Sequence, residues 1–164
     1  RLWALPGMEG LNHRVGGLEK SPDGPLSTEP ENHALMVHNR QEKVDRVANY
    51  IPDQEVTGNP DADLLVVGWG GTSGALTLAV EEMNAEGKKV AYTHFNYICP
   101  LPKNTGDILR RYKKIVVCEL NNGQFAGYLR TKYPECPMTQ YNKVMGLPFE
   151  VGELKAEFNR LLEK

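Results

Sequence analysis

The sequence has few cysteines, no long apolar run and no excess of positive charge, and each shortage excludes a class of protein. Its three cysteines, Cys99, Cys118 and Cys136, are widely spaced, which fits neither a disulfide framework nor the Cys-x-x-Cys spacing of metal and iron–sulfur sites. This cysteine usage predicts a reducing, cytoplasmic compartment. No segment approaches the roughly 20 consecutive apolar residues that a membrane-spanning helix needs. The formal net charge of -2 argues against nucleic acid or an anionic membrane surface as a partner.

The chain begins with Arg1-Leu2-Trp3, which has neither an initiator methionine nor the layout of a signal peptide. We therefore expect a piece of a longer polypeptide. Residues 1–33 are rich in glycine and proline and are predicted to form an extended arm or linker from a preceding domain. Residues 34–60 are predicted to hold a helix and a polar linker, and residues 61–164 an α/β domain.

Residues 63–75 are the most informative stretch of the chain. Residues 64–67 form an uninterrupted apolar run, as a strand covered on both faces of a parallel sheet requires. The glycines of segment 68–74 then allow a sharp turn and a close backbone approach. Thr72 or Ser73 is placed to cap the helix that follows. The stretch predicts a buried strand, a tight turn and the start of a helix.

From this point the pattern alternates between strands and helices. The predicted elements are a helix from 75 with a left-handed end at Gly87, a strand over 89–95, a helix capped by Asn104 or Thr105, a strand over 114–120, a helix over 125–133, an edge strand over 138–144 and an amphipathic helix that closes the chain. Strands separated by helices call for right-handed crossovers. We therefore expect a three-layer αβα fold with a mostly parallel sheet.

In such sheets, ligands and partner surfaces gather where the strands end at their carboxyl edge. The sequence places three polar or glycine-rich loops there. The candidate residues are Gly70, Gly71, Thr72 and Ser73 in the first loop, His94 and Asn96 in the second, and Glu119, Asn121 and Gln124 in the third.

Each candidate has a plainer interpretation. Segment 68–74 departs from the dinucleotide-binding fingerprint, and no acidic residue ends the next strand, so a structural turn or a subunit contact is favoured over a nucleotide site. For His94, the role of a buried histidine with its hydrogen bonds satisfied is favoured over that of a general base. Glu119 is equally suited to holding a ligand and to tying down its own turn. The basic run 110–114 is favoured as a solvated helix end over a phosphate or coenzyme A contact.

The sequence shows no complete catalytic or metal-binding constellation. No serine or cysteine nucleophile lies at a recognisable catalytic spacing from a general base. His13, His33 and His38 lack the cysteine or carboxylate partners of a zinc site. No catalytic residue, metal ligand or resident cofactor is assigned. We expect a component of a larger enzyme rather than a self-sufficient catalyst.

Several ordered sequence blocks nevertheless resemble one family. The chain is similar to the C-terminal part of the α subunit of 2-oxoacid:ferredoxin oxidoreductases, most of all the 2-oxoglutarate enzyme. The blocks are Gly17-Leu18-Glu19-Lys20, Glu29-Pro30-Glu31-Asn32-His33, Gly68-Trp69-Gly70-Gly71-Thr72, Pro100-Leu101-Pro102-Lys103-Asn104-Thr105, Glu119-Leu120-Asn121 with Gly123-Gln124, and Asn142-Lys143-Val144 with Gly146 and Pro148-Phe149.

The resemblance implies a transketolase C-terminal-like domain in a complex that uses thiamine diphosphate, magnesium, an iron–sulfur cluster and coenzyme A. The implied partners are the preceding pyrimidine-binding domain, the β subunit and, through the complex, ferredoxin. A homodimer of the fragment is left open. The family's Tyr-Pro-Ile-Thr-Pro motif is missing and Gly71 stands where serine is expected, so no catalytic residue is carried over. The leading hypothesis is an assembly domain, inactive alone; the alternative is an independent nucleotide- or coenzyme-binding module of flavodoxin-like form.

Overall fold

The computed structural model describes residues 3–14 and 16–163, which divide into two compact units on either side of the Val47-Ala48 bond. The predicted arm over 1–33 includes Arg1, Leu2 and Val15, and the predicted domain over 61–164 includes Lys164; these four residues lie outside the described ranges. The units are taken in turn.

The first unit is an arm followed by a helix, α1 (Pro30–Asp45). Proline suits the first position of a helix because its missing N–H would have no partner there. A 3-10 turn, Arg46–Asn49, follows α1. The apolar stripe that the sequence places on this helix is not buried: Val37 and Val44 are exposed, and no residue of α1 is buried.

The second unit contains one five-stranded sheet with the order β1-β3-β2-β4-β5. Strands β2 to β5 are parallel to their neighbours, and β1 is antiparallel to β3. The strands are β1 (Thr57–Gly58), β2 (Leu64–Trp69), β3 (Val90–Phe95), β4 (Ile115–Glu119) and β5 (Thr139–Asn142). This confirms the predicted mostly parallel α/β sheet, with β5 at an edge as expected.

Helices cover both faces of the sheet. They are α2 (Ser73–Ala85), α3 (Thr105–Arg110), α4 (Gln124–Lys132) and α5 (Val151–Leu162). Leu64 and Val66 pack into one apolar core with α2 and α5, while Leu65 and Val67 pack into the other with α3 and α4. The uninterrupted run is therefore buried from both sides, and the three-layer fold is confirmed. No helix in the described ranges is long and apolar enough to cross a membrane.

Thr72 and Asn104 stand at the predicted N-cap positions of α2 and α3, but no side chain caps either helix. The Thr72 hydroxyl donates to the carbonyl oxygen of Trp69 (2.9 Å) and accepts from the Trp69 amide (3.2 Å). The Asn104 side chain bonds the main chain of Gln54 through both its oxygen (2.8 Å) and its nitrogen (2.9 Å). Thr105 donates to the carbonyl oxygen of Pro102 (2.7 Å). These side chains therefore bond to turn or tertiary partners instead of the helix amides that their sequence positions suggest.

Strand β1 lies in a segment that the sequence predicts as linker. Gly58 has a φ of +89°, and a Cβ atom there would lie 2.6 Å from the carbonyl oxygen of Val90. Glycine thus permits the close approach that adds a short antiparallel edge to the sheet. Gly87 has a φ of +81° and ends α2 in the left-handed conformation, as predicted.

Candidate functional site

The loops that follow β2 and β4 meet at the topological switch point of the sheet. Strand β3 lies on one side of β2, and the chain then crosses to β4 on the other side. Open α/β sheets form their ligand crevice at this position, outside the carboxyl ends of the two strands. The candidate residues in loops 70–74 and 119–124 border that crevice.

The side chain of Trp69 lies between these two strand ends. Its Nε1 donates a hydrogen bond of 3.1 Å to Oε2 of Glu119. Its ring meets that of Phe125 edge to face, with the centroids 6.2 Å apart. The indole therefore bridges the ends of β2 and β4.

Glu119 is 0% exposed, and its carboxylate accepts three hydrogen bonds. Besides Trp69, the donors are the amides of Phe125 and Ala126, each at 2.9 Å. Both amides belong to the first turn of α4, where the helix dipole and free N–H groups favour a negative charge. Of the two interpretations that the sequence leaves open, the structure shows this carboxylate holding its own turn and the start of α4.

The rest of the third loop is also bonded internally. Oδ1 of Asn121 accepts from the amides of Gly123 (2.7 Å) and Gln124 (3.0 Å). Gly123 has a φ of +90°, which favours glycine. The side chain of Gln124 is exposed. Asn121 thus shapes the turn, and Gln124 faces outward.

Packing accounts for much of the glycine turn after β2. A Cβ atom at Gly68 would collide with the side chain of Leu76 and lie 2.9 Å from Oγ1 of Thr72. Gly70 has a φ of +58°. At Gly71, in contrast, a Cβ atom would meet nothing within 4 Å, so the expected serine would fit there. The turn is shaped by contact with α2.

His94 and Asn96 line a separate cavity of about 480 Å³. Its walls come from segment 52–57, α2 and the end of β3. Nδ1 of His94 lies 2.6 Å from the hydroxyl oxygen of Tyr92, beside the hydroxyl of Ser73. The structure therefore brings the first and third predicted loops together through Trp69 and Glu119, and it places Ser73 of the first loop beside the Tyr92–His94 pair.

Tyr92 is the residue that the sequence reasoning missed. Burial raises the pKa of Tyr92 to about 12, so its hydroxyl stays protonated within hydrogen-bond distance of Nδ1 of His94. The tautomer of the imidazole decides which of the two groups donates. Residues two apart in a strand share a face, so the alternation Tyr92-Thr93-His94 was the available signal.

The His94 imidazole is expected to titrate below the ordinary histidine value of 6.5, because burial lowers its pKa. The folded-state pKa is depressed, so the stability that this group contributes is present above the unfolded pKa and is lost as the pH falls through the folded pKa. The measurement is an NMR pH titration of the ring carbons. A titration midpoint of His94 at or above 6.5 would contradict the prediction that burial lowers its pKa.

The described residues offer little reactive chemistry besides this pair. Burial raises the pKa of both the Cys118 and the Cys136 thiols, which disfavours the nucleophilic thiolate. Within residues 3–14 and 16–163, no group of three or more His, Cys, Asp or Glu side chains is placed to hold a metal ion.

Comparison with known proteins finds matches along most of the chain. Residues 62–148 match the family model of pyruvate:ferredoxin oxidoreductase core domain II. The chain is 45% identical over 158 residues to the 2-oxoglutarate oxidoreductase subunit KorA of Mycobacterium tuberculosis, covering 94% of this chain and 23% of that protein. It is 26% identical to the α subunit of 2-oxoacid:ferredoxin oxidoreductase 2 of Aeropyrum pernix, covering 91% of this chain and 24% of that one. The chain therefore spans about a quarter of these relatives.

Solved structures agree with the sequence matches. A 2-oxoglutarate:ferredoxin oxidoreductase from Magnetococcus marinus, with 2-oxoglutarate, coenzyme A and succinyl-CoA bound, superposes with a TM-score of 0.87 at 28% identity. The match covers 97% of this chain and 28% of that one. A split-gene transketolase in an inactive tetramer matches with a TM-score of 0.50 at 14% identity, covering 66% of this chain and 41% of that one, which supports the transketolase-like fold alone.

Proposed function

This chain belongs to the pyruvate:ferredoxin oxidoreductase core domain II family, and on that premise we propose that it is the C-terminal domain of the α subunit of a 2-oxoglutarate:ferredoxin oxidoreductase. The complete enzyme of this proposal converts 2-oxoglutarate and coenzyme A to succinyl-CoA and carbon dioxide, and passes the two electrons released to ferredoxin. The identity to the KorA subunit and the structural match to the Magnetococcus marinus enzyme support it. We propose the cytoplasm as its compartment.

Within that enzyme, the role proposed for this domain is assembly rather than catalysis. The observation that carries this role is the bond between the Trp69 indole and the Glu119 carboxylate, which joins the ends of the two strands at the switch point. A nucleotide-binding module of flavodoxin-like form places its ligand at this position. Here the Glu119 carboxylate is already paired with donors of the chain itself.

The iron–sulfur cluster and the magnesium implied for the complete enzyme do not fit the described residues of this chain. Cys99 is exposed whereas Cys118 and Cys136 are buried, and these thiols form no group that could hold an iron–sulfur cluster. No side-chain group within the described ranges is placed to hold magnesium. No catalytic step is therefore assigned to the chain, and thiamine diphosphate and coenzyme A are proposed to bind elsewhere in the complex.

Exposed apolar side chains support a role in assembly. In the second unit, the loop after β5 exposes Val144 (61%), Met145 (70%) and Leu147 (57%). In the first unit, Trp3 (81%) and Leu18 (66%) are exposed. Neighbouring exposed apolar residues mark interaction sites. We propose that the preceding pyrimidine-binding domain and the β subunit cover them.

The role is tested in the complete complex by placing a charge in the loop after β5. Met145→Asp is expected to lower the assembled fraction measured by size-exclusion chromatography, because it buries an unpaired carboxylate in the interface. Leu78→Asp on α2 is the matched control, since Leu78 is also exposed (46%), and should leave assembly unchanged. Assembly that is equally insensitive to both changes would count against the proposed interface.

Ligand binding separates the assembly role from the alternative. Coenzyme A, FMN and NAD are expected not to bind the switch-point crevice at micromolar concentrations, and the chain should show no turnover with thiamine diphosphate, 2-oxoglutarate and ferredoxin. Micromolar binding of any of the three in calorimetry, together with shifts of the amide signals of residues 70–74 or 119–126, would overturn the assembly role in favour of an independent binding module.

A further inference from the structure

A strongly basic cleft of about 610 Å³ lies at the edge of the sheet where the parallel strands begin, opposite the switch-point crevice. Five cationic side chains line it, and Asp63 is the one carboxylate among the described residues that do so. The cations are Lys88, Lys89, Arg111, Lys113 and Lys114.

The sheet brings these cations together from two distant segments. Residues 88–89 lead into β3, and residues 111–114 lead into β4. The start of β2 lies between them: the amide of Asp63 donates to the carbonyl oxygen of Lys89 (2.9 Å), and the amide of Leu65 donates to that of Lys114 (2.9 Å). Basic residues from both segments therefore face one cleft.

Two of the cations already have partners at helix ends. Nζ of Lys114 donates to the carbonyl oxygens of Leu161 (3.1 Å) and Leu162 (3.0 Å) at the end of α5. Nε of Arg111 donates to the carbonyl oxygen of Asp107 in α3 (3.2 Å). These bonds offset the negative ends of the helices, which would otherwise disfavour an anion in the cleft.

The other three cations are unpaired. Within residues 3–14 and 16–163, the side chains of Lys88, Lys89 and Lys113 form no hydrogen bond or ion pair. They share a concave surface with one carboxylate, Asp63. Like charges held close together repel, so the cleft gains most from a ligand that brings several negative charges at once.

We propose that this cleft binds a small ligand carrying a chain of two or more phosphate groups. Lysine ammonium groups bind phosphate as point charges, and a polyphosphate chain can reach lysines on both segments together. A concave surface of about 610 Å³ suits such a ligand better than an extended nucleic acid or a membrane. The proposal does not depend on the assembly role.

The test is a titration of the whole isotope-labelled chain with inorganic tripolyphosphate, followed through its amide signals by NMR. The amides of residues 87–89 and 111–114 are expected to shift in a saturable way. Orthophosphate should bind at least about tenfold more weakly, because it offers fewer charges. Shifts centred instead on residues 70–74 or 123–126, or no shifts, would overturn the proposal.

Charge reversal locates the site. Lys89→Glu and Lys113→Glu are each expected to weaken tripolyphosphate binding about tenfold, and Lys89→Gln and Lys113→Gln by less. Lys103→Glu is the matched control, because Lys103 is exposed, lies outside the cleft and changes the net charge equally. Equal losses in cleft and control variants would show non-specific attraction and overturn the proposal; the amide spectrum of each variant verifies its fold.

Discussion

Replacing Glu119 with alanine is expected to lower the free energy of unfolding of the second unit by about 4 kcal/mol. The substitution leaves the indole N–H of Trp69 and the amides of Phe125 and Ala126 without their acceptor in a buried site. Each buried donor that loses a charged acceptor costs about 1 to 3 kcal/mol, and the losses are not fully additive. The lost side chain also leaves a cavity between β4 and α4.

The measurement is urea unfolding followed by far-ultraviolet circular dichroism, with Glu119→Gln as an isosteric variant that keeps one acceptor oxygen. Glu81→Ala on α2 is the control, because Glu81 is exposed and should change stability by less than about 0.5 kcal/mol. Glu119 would be better explained as a ligand-binding residue if its removal left stability unchanged. The isosteric variant should lie between alanine and the native protein.

Replacing Gly123 with alanine is expected to cost about 2 kcal/mol of unfolding free energy. Its φ of +90° is unfavourable for any residue with a Cβ atom. That atom would also meet the end of the Gln140 side chain on β5 and lie 3.1 Å from Nδ2 of Asn142, but both side chains are exposed and can rotate away. The left-handed backbone is therefore the main cost.

Gly127→Ala is a matched control in the same helix. A Cβ atom at Gly127 meets nothing within 4 Å, and alanine favours helix over glycine by up to about 1 kcal/mol. Thermal unfolding of the two variants should therefore shift in opposite directions. If Gly127→Ala destabilised the protein as much as Gly123→Ala, α4 would tolerate neither substitution, and the backbone geometry of Gly123 would not explain the loss of stability.

Much of the fold could be predicted because its signals are local. The apolar run 64–67, the left-handed Gly87 and the periodicity of α5 each depend on neighbouring residues, and all three take the predicted form. The caps could not be predicted in the same way. Thr72 and Asn104 have suitable side chains at suitable positions, but a turn carbonyl and a main-chain segment 50 residues away bind them instead.

The strand ends that carry the candidate residues were predicted, but the bonding partners of those residues were not. The carboxyl ends of the strands follow from their order and direction, so Glu119 and His94 were correctly singled out as strand-end residues. Which groups they bond did not follow. Trp69 was counted only as part of a glycine turn, and Tyr92 only as a strand residue, because nothing in the local pattern shows their partners.

The sequence alone determined strands β2 to β5, the helices, the layered architecture and the family resemblance, since periodicity and turn chemistry act over a few residues. Only the tertiary structure decided that Trp69 joins the two strand ends at the switch point, bonded to a carboxylate 50 residues away. It also decided that residues 88–89 and 111–114 line one basic cleft. Both results depend on the lateral order of the strands, which is set by packing between elements far apart in the chain, and no local pattern encodes it.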